Sequence, residues 1–209
     1  IFTERALPSG LALNDRGRAE ACMGIATGDA NSDGLLDLFV TNFLKESNTL
    51  FLQGAGQMFL DATRKAGLHE DSIGTLGFGT QFLDGNLDGN LDLIITNGHI
   101  GEFTETGDPY KMPPQYFHNM GEGRFVELKG RSLGPYFQDK YLGRVLAKVD
   151  WNRDGLEDVV ISHLDSSAAL LTNTTSDAGN FVAIRLVGVE SSRDAIGTTL
   201  TAEIQGRKL

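Results

Sequence analysis

Cysteine is almost missing from this chain: Cys22 is the only one in 209 residues. An internal disulfide is therefore excluded, and the thiol says little about redox compartment. Its neighbours Ala21 and Met23 suit a small buried hydrophobe rather than a nucleophile. Long apolar runs are missing too. None approaches the roughly 20 residues that a helix needs to cross a bilayer, so no membrane insertion is expected. Basic clusters are the third absence. With Lys+Arg 18 against Asp+Glu 28 and a net charge of −10, nucleic acid is not an expected partner, because phosphate binding needs clustered cations. The first residues, Ile1-Phe2-Thr3-Glu4, carry neither an initiator Met nor a charged and apolar leader, as expected of a mature or excised piece.

Catalytic signatures are missing as well. The four histidines, His69, His99, His118 and His163, show no HExxH spacing, and no GxSxG elbow, Walker loop or Rossmann glycine fingerprint occurs. An enzyme is not the expected reading. His163 stands where two other repeats have Asn42 and Asn97, which suggests a hydrogen-bonding residue at a strand end. His99, at the mouth of a long loop, is the polar residue best placed for a ligand. Asn173-Thr174-Thr175 is a glycosylation sequon, meaningful only in a eukaryotic source.

What the chain does have is the pattern DxNxDGxxD three times, at Asp29 to Asp37, Asp84 to Asp92 and Asp150 to Asp158. Side-chain oxygens at its first, third, fifth and ninth positions, with a carbonyl at the seventh, form a hard oxygen set suited to Ca²⁺. The first loop offers Asp29, Asn31, Asp33, the carbonyl of Leu35 and Asp37. The second offers Asp84, Asn86, Asp88, the carbonyl of Asn90 and Asp92; the third offers Asp150, Asn152, Asp154, the carbonyl of Leu156 and Asp158. Gly34, Gly89 and Gly155 take the sixth position, where wrapping around one ion calls for a sharp turn. About three calcium ions are expected. An EF-hand is excluded, because its twelfth position needs a bidentate Glu and here holds Val40, Ile95 or Ile161. Each loop instead runs into a short apolar stretch, Leu38-Phe39-Val40, Leu93-Ile94-Ile95 or Val159-Val160-Ile161, that reads as a buried strand. Turns without metal use the same residue types, but three copies with the same positions filled favour the ion.

Self-alignment extends the repeat. Each unit has an approach strand, the loop, the buried strand, a strand ending near Asn, and a Gly-x-Phe hairpin into a fourth strand. The chain reads as all-β: about three and a half four-stranded blades of a larger β-propeller. The expected divisions are 1–22, the end of a preceding blade; 23–76, 77–142 and 143–178, three blades each with a calcium loop; and 179–209, a last strand with further sequence. Phe2 to Leu11 matches Phe59 to Leu68 in register, which places the start part-way through a unit. In the third unit the fourth strand would open at Gly179-Asn180-Phe181. Gly197 to Ile204 alternates like a strand, with a turn at Gln205-Gly206-Arg207. The second unit carries an excursion at 98–114. Missing segments or another chain would complete the ring.

The approach strand, loop and apolar strand together resemble the FG-GAP/VCBS repeat of integrin α-subunit propellers and bacterial secreted proteins. The tail from Arg185-Leu186-Val187-Gly188 to Ala195-Ile196-Gly197 resembles the start of an ASPIC/UnbV domain. With Asn97-Gly98-His99-Ile100 and the stretch Pro113 to Asn119, the whole is similar to the cartilage acidic protein group and its bacterial relatives. The resemblance implies a seven-bladed calcium-binding propeller, extracellular, periplasmic or on the cell surface, without assigned catalysis. The Phe-Gly pair of the family name survives only as Phe78-Gly79. Three functions follow as expectations: a calcium-braced module for protein or glycan interaction, such as adhesion; an accessory or catalytic domain of a secreted enzyme with its active site in other blades; or an architectural scaffold.

Overall fold

The computed structural model describes residues 1–190, 192–204 and 207–208. The chain divides into two units, Ile1–Gly179 and Asn180–Leu209.

The first unit is all-β. Its first sheet is an antiparallel meander of β1 (Ile25–Gly28), β2 (Asp37–Val40), β3 (Thr49–Gly54) and β4 (Met58–Asp61). The second repeats that order with β5 (Gly77–Leu83), β6 (Asp92–Asn97), β7 (Gln115–Asn119) and β8 (Phe125–Leu128). A third sheet has β9 (Gly143–Val149), β10 (Asp158–His163) and β11 (Ala169–Leu171), with β10 in the middle. The registers Phe39↔Leu50, Ile94↔Tyr116 and Val160↔Leu170 put corresponding residues of the three sheets opposite one another.

The second strands carry the apolar runs; β6 is buried along its whole length, whereas β10 leaves Val160 exposed on one face. Phe39, Leu50, Leu93, Ile95, Phe117 and Phe125 belong to one buried cluster joining the first two sheets. The Phe39 and Phe82 rings meet edge to face, 6.5 Å between centroids. Ile94 and Leu83 pack with Leu146, Val159 and Ile161 in a second cluster joining the second sheet to the third. β1 lies beside β5, and β5 beside β9.

The register between residues 2–11 and 59–68 extends to the backbone. Ser9, Gly10 and Leu11 N–H donate to the carbonyls of Arg5, Leu7 and Ala6; Ala66, Gly67 and Leu68 N–H donate to those of Ala62, Arg64 and Thr63. Gly10 and Gly67 close the two turns at φ 86° and 81°.

Three sequence expectations need correcting. The third sheet has three strands, since the described residues from 172 to 202 carry no strand; after Asn173 the chain turns on the Asn173 side chain, which accepts from Thr175 N–H, and Gly179 N–H is tied to Asn86 O at 2.9 Å. The strand expected over Gly197 to Ile204 is limited to β12 (Glu203–Ile204), paired with β13 (Arg207–Lys208) in the second unit. Gln205 and Gly206 of the expected turn lie outside the described residues. Cys22 is exposed, not buried. It lies on the irregular approach to β1, where the preceding N–H, that of Ala21, is held by Glu46 Oε2. The described residues of the second unit form irregular chain, a few turns and these two short strands, and none of the described residues from 180 to 203 is buried.

Candidate metal loops

The three DxNxDGxxD loops join the first strand of each sheet to the second, and they fold alike. In the first, Asp29 Oδ1 accepts Asp33 N–H at 3.0 Å and Oδ2 accepts Gly34 N–H at 2.8 Å. Asp84 does the same for Asp88 and Gly89 at 3.0 and 2.9 Å, and Asp150 for Asp154 and Gly155 at 3.1 Å each. The fifth aspartate in turn accepts the seventh N–H: Leu35 on Asp33 at 2.8 Å, Asn90 on Asp88 at 2.8 Å, Leu156 on Asp154 at 2.9 Å. The third-position amides of Asn31, Asn86 and Asn152 donate to the fifth carboxylate. The sixth glycines sit at φ 85°, 86° and 87°. A Cβ on Gly34 or Gly89 would meet nothing within 4 Å; conformation, not space, calls for glycine there.

The ninth aspartates differ from the rest in being buried: Asp37 and Asp158 are 0% exposed and Asp92 1%. Asp37 and Asp92 reach the third strand of their sheets, accepting from Gln53 N–H and Asn119 N–H at 2.8 Å each, and Asp158 reaches the chain just past β11, accepting from Asn173 N–H at 2.7 Å. Burial raises the Asp37 pKa above the usual carboxylate value, opposed by the Gln53 and Ala30 N–H bonds and helped by the charges of Asp33 and Asp29. Burial likewise raises Asp84, with Asp88 and Asp92 adding to the shift. At Asp88 burial is outweighed by hydrogen bonds from Asn90 and Asn86 and by nearby His118, and its pKa is lowered.

The donor set fits a hard cation. It contains only carboxylate, amide and carbonyl oxygens, and a carboxylate oxygen that accepts one N–H retains a further lone pair. Among the described residues, no three His, Cys, Asp or Glu side chains form a metal-binding group on their own; an ion here would draw on the amide and carbonyl oxygens as well as the acids. Where such an ion binds, it supplies positive charge among crowded carboxylates.

Sequence reasoning passed over two features of these loops. One is an asparagine bridge between neighbouring sheets. Asn119, at the end of β7, sends Nδ2 back to Ala30 O of the first loop at 2.9 Å; Asn173 sends Nδ2 to Gly85 O of the second at 2.8 Å. Glu157, in the third loop, accepts Asp84 N–H at 3.0 Å and pairs with Lys148 at 2.7 Å. The signal was present: an Asn at or just past the end of the third strand in two units. The other feature is a cleft of about 710 Å³ between the second and third sheets, lined by Tyr116, His118, Tyr136, Phe137, Leu171 and Thr175 among others. Tyr116 and His118 both contact Asp92, the hydroxyl donating to Oδ2 at 2.6 Å and Nδ1 lying 3.0 Å from Oδ1. Burial, then the Asp92 charge, pushes the Tyr116 pKa well up.

His163 ends β10 with Nε2 2.7 Å from the Tyr136 hydroxyl and Nδ1 2.7 Å from Ser167 O. His99 is not displayed to solvent. It is 4% exposed, its ring set between Phe43 and Phe103 at 5.5 and 5.1 Å, and its carbonyl accepts from Arg144. The exposed residues of the 98–114 excursion include Ile100 and Phe103. Asn173, the sequon residue, has its amide engaged with Gly85 and its Oδ1 with Thr175.

Compared with known proteins, the chain matches no protein-family model, and no curated protein matches it.

Proposed function

We propose that this chain is a calcium-braced β-propeller module of the FG-GAP/VCBS type, leading at 179–209 into an ASPIC/UnbV-like region, and that it acts outside the cytoplasm by presenting loops to a protein or glycan. The three sheets of the first unit are then successive blades. Asp29, Asn31, Asp33, Leu35 O and Asp37 hold one ion; the corresponding residues of the loops at 84–92 and 150–158 hold two more. Calcium serves as a brace, because the loops sit where neighbouring sheets are tied together.

One observation carries this reading: three loops of different surroundings fold with the same side-chain-to-backbone hydrogen bonds, and two asparagines connect a loop to the next sheet. A turn needs no such wiring between sheets. The excursion at 98–114 is the presented surface, since Ile100 and Phe103 project from an otherwise anchored loop whose His99 N–H bonds Tyr110 O.

Native mass spectrometry of the chain, dialysed against micromolar calcium chelate and then against millimolar calcium, tests the brace. Three ions bound per chain support it; none bound refutes it. Screening the protein against glycan and surface-protein arrays, beside a variant with Ile100 and Phe103 changed to Ser, tests the presentation. Binding that the variant loses is the expected result, and binding that the variant retains excludes this loop.

A further inference from the structure

The middle loop is held differently from the other two. In the first loop the second oxygen of the ninth aspartate, Asp37 Oδ2, accepts the N–H of the second loop residue, Ala30, at 2.8 Å. In the third, Asp158 Oδ2 accepts Trp151 N–H at 3.2 Å. In the middle loop Asp92 Oδ2 accepts the Tyr116 hydroxyl at 2.6 Å. The equivalent residues on the other third strands, Leu50 and Leu170, have no hydroxyl to offer.

We infer that Tyr116 is a positioning residue for the middle metal loop, its hydroxyl orienting the Asp92 carboxylate toward the ion in place of a loop N–H. This rests on the calcium reading above. The second loop residue has been fitted to the hydroxyl: it is Gly85, and a Cβ there would lie 2.0 Å from the Tyr116 hydroxyl oxygen and 3.4 Å from Asp92 Oδ2. Ala30 and Trp151 carry side chains at that place because no hydroxyl occupies it. The asparagine bridge leaves this choice untouched, since Asn119 N–H bonds the other oxygen, Asp92 Oδ1, as its counterparts do in the other loops.

The consequence is functional. In the outer loops the ninth ligand is set by backbone, which moves only with the fold. In the middle loop backbone and His118 hold only Asp92 Oδ1, and Oδ2 is set by an aromatic side chain that also lines the cleft between the second and third sheets. Of the three loops, the middle one therefore has an affinity that can be altered through the Tyr116 side chain without altering the fold.

Calorimetric calcium titration of the full chain, with bound ions counted at saturation, tests this. Asp88→Ala first marks which transition belongs to the middle loop. Tyr116→Phe is expected to weaken that transition about tenfold, the scale of one lost hydrogen bond to a charged group, and to leave the other two in place. Gly85→Ala is expected to weaken the same transition, and to add little when combined with Tyr116→Phe, because the two changes act on one contact. It also stands in if Tyr116→Phe fails to fold. A Tyr116→Phe titration that superimposes on wild type, or one in which all three transitions weaken equally, overturns the inference. A wild-type chain that binds no calcium overturns the calcium reading beneath it, and the two failures are thereby distinguished.

Discussion

Asn119→Ala is the substitution that most directly perturbs the join between neighbouring sheets. Asn119 is 1% exposed, and its Nδ2 donates to Ala30 O at 2.9 Å and to Leu91 O at 3.0 Å, while Oδ1 accepts Gly121 N–H at 3.0 Å. Alanine removes all three bonds and leaves the Ala30 carbonyl, on a residue itself 1% exposed, without its partner. A buried polar group left unpaired costs about 1–3 kcal/mol. The buried Ala30 carbonyl, the half-buried Leu91 carbonyl and a lost turn bond put the expected destabilisation at about 3 kcal/mol, or about 6–12 °C in melting temperature for a chain of this size. Gln53→Ala is the internal control. Gln53 pairs with Phe59 in the register in which Asn119 pairs with Phe125, yet is only half-buried, and its bond to Asp37 is made by the backbone N–H that alanine keeps. It should cost no more than about 0.5 kcal/mol. Differential scanning calorimetry of both variants at one calcium concentration decides the matter. Equal melting temperatures for the two would refute the idea that the asparagine ties one sheet to the next.

Other outcomes follow from the same geometry. Asp88→Ala should lower the number of bound calcium ions by one and leave the other two loops filled; retention of all three would contradict the ligand assignment. Gly89→Ala should cost about 1–2 kcal/mol, the cost of an L-residue at φ 86° with open space around it, and a neutral result in urea denaturation would show that the loop can adopt another conformation. Phe39→Ala should cost about 3–5 kcal/mol through the cavity left against Phe82, and a loss below about 1 kcal/mol would mean that the first two sheets do not share a packed core.

The loops and the strands around them were legible in the sequence because two local signals coincide there. Asp, Asn and Gly at fixed spacing dictate the turn, and the apolar run after it dictates a strand packed into the core. The hairpins before Phe59 and Phe125 were legible for a similar reason, glycine followed by an aromatic, half-buried at Phe59 and buried in the core at Phe125. The same signal at Gly179-Asn180-Phe181 did not yield a strand. There the local pattern competes with the Asn173 turn and with the tie from Gly179 to Asn86, a partner 93 positions away that no periodicity reveals. Cys22 was misjudged because its apolar neighbours are on an irregular segment, where burial follows from tertiary contact and not from the pattern. The parts of the site that escaped, Tyr116 on Asp92 and Asn119 on Ala30, are contacts across 24 and 89 positions. Tyr116 read as one more strand residue, and only the fold brings its hydroxyl to a carboxylate.

The central claim is that calcium holds this fold together at three loops, and a thermal melt in EDTA and in millimolar calcium, with bound metal counted alongside, tests it most directly. Sites of about 0.1–1 mM affinity in about 1 mM calcium contribute roughly 1–4 kcal/mol in sum, or about 2–16 °C at the sensitivity of a chain of this size. A rise of that order, specific to calcium over magnesium, with about three ions bound, is the expected result. A melting temperature unmoved by calcium, with no metal bound, would reduce the three loops to turns and contradict the account.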